Sequence, residues 1–410
     1  MFIYGFLSTL LFILILPLWL IVGIFKRKLI FGLKEKMGFY KNLPKLDSPI
    51  VFYGVSVGEV LAMENTIKKT RQTFPNQHIV VMTWTKTGQE IAHKKLAETA
   101  DFITYFPLDF PFFINKMIKK INPKAVFIME TELWPNLAYI TNNNKIPTYI
   151  INARISDRTF YSYRKLKFIF EPILNMYTSI FPQSEQDKKK FLELGSNSET
   201  TKVMGNLKFD IKKPNKIDFS HNYPTLIAGS THSGEDEIVL KTFFELKKEI
   251  PNLKLIIASR HPERNENVYK MMKNTGFATC RRSENGNFES SEIMLLDTMG
   301  ELGKLYSVCD VVFIGGSFNK TGGHNPLEAT IFSKPVISGP CIHNFKDIYA
   351  ILQNENAAKI VNNQVEFFIE AKKLFTDKEF YNKTVQACET VFEKNSGALM
   401  FVIDVIKTIV

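Results

Sequence analysis

The sequence predicts an α/β protein made of two doubly wound, parallel-sheet domains. Three observations carry that expectation. Its 410 residues exceed what one hydrophobic core ordinarily organises, at roughly 100–200 residues per domain. Short apolar runs rich in β-branched residues alternate with longer amphipathic stretches, the rhythm of βαβ units. That rhythm fades once, through the polar stretch Asp210–Asn222, and then restarts.

The first element is apolar throughout. Phe2–Phe25 is 24 residues without a charge, ~36 Å as a helix against a hydrocarbon core of ~30 Å. Lys26, Arg27 and Lys28 follow at once and no Lys or Arg precedes it. The positive-inside rule then predicts a membrane anchor over 1–25, with the rest of the chain on the cytoplasmic side of the membrane. A cleaved signal peptide is the rival, but it would put its basic residues first and end at an A-x-A-like site. A monotopic hairpin about Pro17 would leave the following chain on the same side.

Strands are then expected at PIVFYGV from Pro49, HIVVMTW from His78, KAVFIM from Lys124 and PTYIIN from Pro147, within a domain over 26–210. Residues 211–222 read as a linker. The second domain, 223–410, carries TLIAGS, KLIIAS, IMLLD, VVFIGGS and PVISG, and from Gln364 to its end reads as helical. Two such domains are expected to face one another across a cleft at the carboxyl ends of their strands, where ligands bind.

Composition narrows the function. Hydrophobic residues at 45% and charged residues at 23% exclude global disorder. The balance of 52 basic against 41 acidic residues, a net +11, points to a polyanionic partner: nucleic acid, anionic lipid or a phosphorylated substrate. Cys280, Cys309, Cys341 and Cys388 form no C-x-x-C pair, so neither a disulfide framework nor a zinc knuckle is indicated.

Six segments carry chemistry-bearing residues. In GVSVGEV, Ser56 and Glu59 have capping-box spacing, and Glu59 also sits where a strand end faces the expected cleft, a place for a general base. In METELWPN, Glu130 and a second acid two residues on follow a strand directly, and either a helix start or a cleft lining fits them. Lys208 in NLKFD offers a cation near the domain boundary. GSTHSGEDE spaces Ser233 and Asp236 as another cap, and SRHPER places Ser259 and Arg260 at a strand tip, where a guanidinium can grip phosphate or carboxylate. GGSFNKTGGHNPLEA reads as a helix start, with Asn325 as N-cap, Pro326 at the first position and Glu328 at the third; its Gly-Gly pairs permit close backbone approach to an anion. There is no Walker loop, G-x-G-x-x-G, H-E-x-x-H or D-x-D clamp.

Taken together, GVSVGEV, METELWPN, NARIS, GNLKFD, GSTHSGE, RHPER, DTMGEL, GGHNPLEA and GP…NFKDI run in one order, and the chain closely resembles the 3-deoxy-D-manno-octulosonic acid (Kdo) transferases. The resemblance implies a GT-B fold and an inverting transfer of Kdo from CMP-Kdo to the lipid A precursor, lipid IVA, at the inner membrane, with no metal and no cofactor. It implies Glu59 as general base, and Glu130 and Lys208 as transition-state stabilisers. It places CMP on Ser259 and Arg260, on Met299, Gly300 and Glu301, and on Asn325, Pro326, Leu327 and Glu328. The partners implied are CMP-Kdo, lipid IVA and inner-membrane lipid, not nucleic acid. The acceptor phosphates are expected near Arg154, Arg158 or Arg164. The chain departs from the family in two places: Tyr53 and Gly54 stand where His and a small residue are common, and Ser259 replaces a proline. The readings set against this one are a GT-B transferase with a UDP-sugar donor and a membrane-tethered nucleic-acid-binding protein.

Overall fold

The computed structural model describes residues 31–215, 217, 223–284, 286 and 288–410. The predicted anchor over 1–25 lies outside them, and among the described residues no helix is long and apolar enough to cross a membrane. The chain forms two compact units, Met1–Asp210 with Asn395–Val410, and Ile211–Lys394.

In the first unit the strands are β1 Ile50–Gly54, β2 Ile79–Thr83, β3 Phe102–Tyr105, β4 Ala125–Met129, β5 Thr148–Ala153 and β6 Ser179–Pro182. The helices are α1 Leu33–Lys36, α2 Val57–Thr73, α3 Lys86–Leu96, α4 Pro111–Ile121, α5 Pro135–Asn143, α6 Asp157–Lys165, α7 Lys167–Leu174 and α8 Glu185–Glu193. All pairings are parallel, in the order β3-β2-β1-β4-β5-β6. The chain winds outward from β1 to β3 and returns to lay β4 beside β1, so the topological switch point lies between those two strands. Helices cover both faces, which is why the central strands read as unbroken apolar runs. Val51, Tyr53, Val80 and Met82 enter one core cluster, and Ile50, Phe52, Ile79 and Val81 the other.

The second unit holds β7 Thr225–Thr231, β8 Lys254–Ser259, β9 Thr279–Arg281, β10 Ile293–Leu295, β11 Val311–Ile314, β12 Val336–Ser338 and β13 Ala358–Ile360. Its helices are α9 Glu235–Glu249, α10 Asn265–Lys273, α11 Leu302–Leu305, α12 Leu327–Thr330, α13 Lys346–Asn354, α14 Gln364–Thr376 and α15 Lys378–Asn395. The order β13-β12-β11-β7-β8-β10-β9, again all parallel, puts the switch point between β7 and β11.

One boundary differs from the sequence expectation. The last helix, α16 Ala398–Lys407, does not belong with 223–394 but packs on the first unit. Its Ala398, Val402, Ile403 and Ile406 are buried in the same cluster as Ile50 and Phe52. Asp210 fixes the return, its carboxylate accepting from Gly397 N–H at 2.7 Å and Leu399 N–H at 2.6 Å. Asn206 N–H donates to the Asn395 carbonyl at 2.9 Å. An acidic cap on a helix with one apolar face is enough to hold it against this sheet.

Candidate active site

In the first unit the predicted catalytic residues gather at the switch point. Glu59 is at the third position of α2, whose N-cap is Ser56. The Glu59 N–H donates to Ser56 Oγ at 3.4 Å, the Ser56 hydroxyl donates to Glu59 Oε1 at 2.8 Å, and Val55 N–H donates to Oε2 at 2.8 Å. Glu59 is therefore a capping residue, and at 9% exposure it is also a buried carboxylate. Burial raises its pKa, the Val55 and Ser56 hydrogen bonds oppose that rise, and the charge of Glu130 adds to it.

Glu130 follows β4 in the left-handed region, φ 56°, a conformation costing a non-glycine residue about 1–2 kcal/mol. Its N–H donates to the Ile151 carbonyl at 3.0 Å, so the sheet holds the turn. Lys208 Nζ donates to Glu130 Oε1 at 3.4 Å, with both side chains part-buried. The second acid of METELWPN, Glu132, belongs to the same cluster: burial, then the charges of Glu59 and Glu130, push its carboxyl up to about 7. The N-terminus of α5 is not capped by these glutamates. It is capped from another segment by Asp109, whose carboxylate accepts from Asn136 N–H at 3.0 Å and Leu137 N–H at 2.8 Å. Two buried polar atoms at the cluster, the Tyr53 hydroxyl and the Trp134 indole N–H, make no hydrogen bond of ordinary geometry.

Lys208 owes its place to a buried amide network that sequence reasoning missed. Asn152, also at positive φ, accepts from Leu207 N–H at 2.9 Å through its side-chain oxygen and from Gln183 Nε2 at 2.9 Å through its carbonyl. Asn206 Nδ2 donates to Gln183 Oε1 at 3.0 Å, and Asn206 Oδ1 accepts from Lys208 N–H at 3.0 Å. The network pins the single turn Leu207–Phe209. The available signal was NARIS, which closes a strand with a buried amide. Of the arginines expected near the acceptor, Arg154 gives its carbonyl to the Thr131 hydroxyl, while Arg158 and Arg164 lie on α6, exposed.

In the second unit the expected nucleotide loops at Arg260 and at Asn325–Glu328 come together, with corrections. Gly234, not Ser233, stands at the start of α9, in the left-handed region and without a side-chain cap. Asp236 instead accepts from the Thr231 hydroxyl at 2.6 Å and pairs with Arg264. Glu235, not singled out from sequence, is fully buried. Its carboxylate accepts from His232 N–H at 2.8 Å, Gly316 N–H at 2.7 Å, Ser317 N–H at 2.7 Å and Phe318 N–H at 2.8 Å, clamping the glycine loop to β7. Gly315 is obligatory there, since an added Cβ would stand 2.5 Å from the Ser230 carbonyl oxygen.

Ser259 ends β8 and turns its hydroxyl to the His261 carbonyl at 2.9 Å. Arg260 is exposed, and its backbone N–H donates to the Thr231 carbonyl at 3.0 Å. Burial raises the Glu328 carboxyl, and the Arg260 charge opposes that rise. Asn325 Oδ1 accepts from Leu327 N–H at 3.1 Å, as an N-cap does, with Pro326 behind it. The helix it opens is only four residues, Leu327–Thr330, and Glu328 does not close a capping box. In the remaining loop Met299 is 84% exposed and Gly300 has φ 81°. Glu301 is committed to Arg282, Nη2 to Oε1 at 2.9 Å, and to the Thr298 hydroxyl. It orders the loop as the structure stands.

Comparison with known proteins agrees with this architecture. The family described as 3-deoxy-D-manno-octulosonic-acid transferase (kdotransferase) matches residues 32–211. The 3-deoxy-D-manno-octulosonic acid transferase of Haemophilus influenzae is 36% identical over 387 residues, 92% of this chain and 90% of that protein. A bifunctional glycosyltransferase/methyltransferase of Fusobacterium nucleatum is 36% identical over 83% of this chain, which spans 52% of that longer protein. Among solved structures, UDP-GlcNAc 2-epimerase from Neisseria meningitidis matches with TM-score 0.53 at 14% identity, covering 88% of this chain and 100% of that one; the likeness is one of fold. Two parallel-sheet α/β domains resembling those of GT-B glycosyltransferases, built on a sequence more than a third identical to such an enzyme across nearly its whole length, place this chain in the 3-deoxy-D-manno-octulosonic acid transferase family.

Proposed function

We propose that this protein transfers Kdo from CMP-Kdo to lipid IVA, with inversion and without a metal, working at the cytoplasmic face of the inner membrane. The observation that carries the reading is the buried Glu59 carboxylate at the β1/β4 switch point, beside the Glu130–Lys208 pair. An acceptor sugar hydroxyl gives its proton to Glu59 while its oxygen bonds to the anomeric carbon of Kdo. The bond from that carbon to the phosphate oxygen breaks, and CMP leaves with the electron pair. Lys208 supplies positive charge and Glu130 holds it in place through their ion pair. The exposed Arg260 and the Asn325–Glu328 turn are the groups for the nucleotide. Membrane attachment rests on Phe2–Phe25 and the three basic residues after it; anionic headgroups add ~1 kcal/mol per nearby Lys or Arg.

The direct test is mass spectrometry of tetraacylated lipid IVA incubated with the purified protein and freshly generated CMP-Kdo, in detergent and with chelator. Product carrying one or more Kdo units is expected. No product from a folded protein that still binds CMP overturns the acceptor or donor-sugar assignment.

A further inference from the structure

The end of β7 and the loop after β11 are joined by two imidazoles. His232 Nε2 and His324 Nε2 lie 2.9 Å apart, with the ring centres 5.2 Å apart and the ring planes inclined by 16°. At that distance a single proton sits between the two nitrogens, one donating and the other accepting. The pair can be neutral, or it can carry one positive charge shared along the contact, but two protonated rings would point N–H at N–H. A glycine is needed for the contact: at Gly316 (φ 69°) a Cβ would stand 3.0 Å from His324 Cδ2 and 3.4 Å from His232 Cδ2.

The surroundings keep the pair uncharged. His232 is lowered by burial and by His261, Arg264 and Arg260, against the opposing Glu235. His324 is pushed down to about 4 by burial, His232, Arg260 and His261. Glu235 spends its carboxylate on four backbone N–H groups, and Arg264 is held by Asp236. His261 stands edge-on to His232 at 5.1 Å. Among the described residues the Arg260 guanidinium, unlike that of Arg264, makes no hydrogen bond or ion pair, and Asn325 follows His324 directly. An anion held by Arg260 cancels the positive field that keeps the imidazoles neutral and supplies the negative charge that favours a proton on them.

We infer that His232 and His324 are phosphate ligands of the nucleotide site, and that the pair takes one proton from solvent, becoming a shared imidazolium, when the nucleotide phosphate docks beside Arg260. The inference rests on the CMP-Kdo reading of this site and adds two residues and a charge change to it. Because the complex holds the proton more tightly than the free protein, CMP binding strengthens as pH falls through the pKa of the bound pair. Product release is favoured on the alkaline side.

The experiment is calorimetric titration of CMP into the full-length protein at pH 7 in two buffers of different ionisation enthalpy. Uptake of about half a proton or more per CMP is expected. His324→Gln and His232→Gln should each abolish the uptake and weaken CMP about tenfold or more. Proton-uptake measurements alone, on the parent protein, guard against variants that misfold: nitrogen-15 shifts of the two imidazoles should move toward the protonated form on adding CMP. Binding by the parent with no buffer dependence and no imidazole shift overturns the proposal and leaves the donor reading standing. No CMP binding by the parent overturns the donor reading and the proposal with it.

Discussion

Replacing Glu59 by glutamine separates its capping contacts from the proposed base role. The carboxylate accepts one hydrogen bond from Val55 N–H and one from the Ser56 hydroxyl, each 2.8 Å. Glutamine keeps one oxygen for Val55 N–H and turns its NH₂ toward Ser56 Oγ, which has a lone pair to receive it. What is lost is the extra strength of two bonds to a charged acceptor, offset by relief from burying that charge. The net cost is about 1 kcal/mol, against a domain stability of roughly 5–15 kcal/mol. A general base is worth about 10²–10⁴ in rate, or about 3–5 kcal/mol of barrier. Glu59→Gln should therefore unfold within a few degrees of the parent and turn over at least a hundredfold more slowly, with CMP affinity unchanged. Glu59→Ala leaves Val55 N–H unpartnered and should cost about 1–3 kcal/mol besides. Chemical denaturation and single-turnover transfer measure the two effects on one preparation. A glutamine variant turning over within tenfold of the parent refutes the base assignment; one that fails to fold refutes the capping argument.

Glu132→Gln should stabilise the protein at pH 8 and not at pH 5. Its pKa rises from an ordinary 4.5 to about 7 on folding, so the folded state binds the extra proton and loses stability as pH climbs through that window; urea unfolding at the two pH values reads the sign. Arg260→Ala should weaken CMP about ten- to a hundredfold with folding intact, since the exposed guanidinium holds nothing else, and calorimetry with CMP and UDP also tests the donor base. Glu235→Gln strips the acceptor from backbone donors that four hydrogen bonds now satisfy and should destabilise the second unit by about 2–4 kcal/mol by denaturation. Asp210→Ala should loosen α16, costing about 1–2 kcal/mol and exposing the chain after Asn395 to protease.

The strands the sequence failed to announce are β3, β6, β9 and β13, and they are the four sheet edges. Central strands such as β1, fully buried along Ile50–Gly54, must be apolar on both faces and so appear as runs. Edge strands are three or four residues long and partly exposed, Phe102–Tyr105 and Ala358–Ile360 among them, so no run forms. The return of α16 was invisible for a related reason, because amphipathicity says that a helix has a face to bury and not which sheet will receive it. Site residues with local partners were legible: Ser56 with Glu59, and Asn325 with Leu327. Those whose partners are distant in sequence were not, namely Asp109 with Asn136, Asn152 with Leu207, and Glu235 with the loop at Gly316. Ser233 shows the converse error, where correct capping spacing was displaced by a left-handed Gly234.

The capping and catalytic readings of Glu59 are one arrangement seen twice. A base must be held rigid, kept out of bulk water and left with an acceptor direction free for a proton. The capping box supplies the first, since two donors at fixed positions orient the carboxylate. The β1/β4 switch point supplies the second, and burial there, with the charge of Glu130 adding to it, keeps the proton affinity up. A carboxylate offers about four acceptor directions and the cap uses two, which leaves the third. Lys208 would undo this if it turned to Glu59, because a direct ion pair would lower the base's pKa. The strained Glu130 turn and the Asn152–Gln183–Asn206 network direct that lysine elsewhere. Lys208→Arg, whose longer forked donor can reach more than one acid, should therefore lower the pH at which activity begins as well as slow it. An unchanged acid limb in the pH–rate profile would show that Lys208 and Glu59 do not share a charge balance.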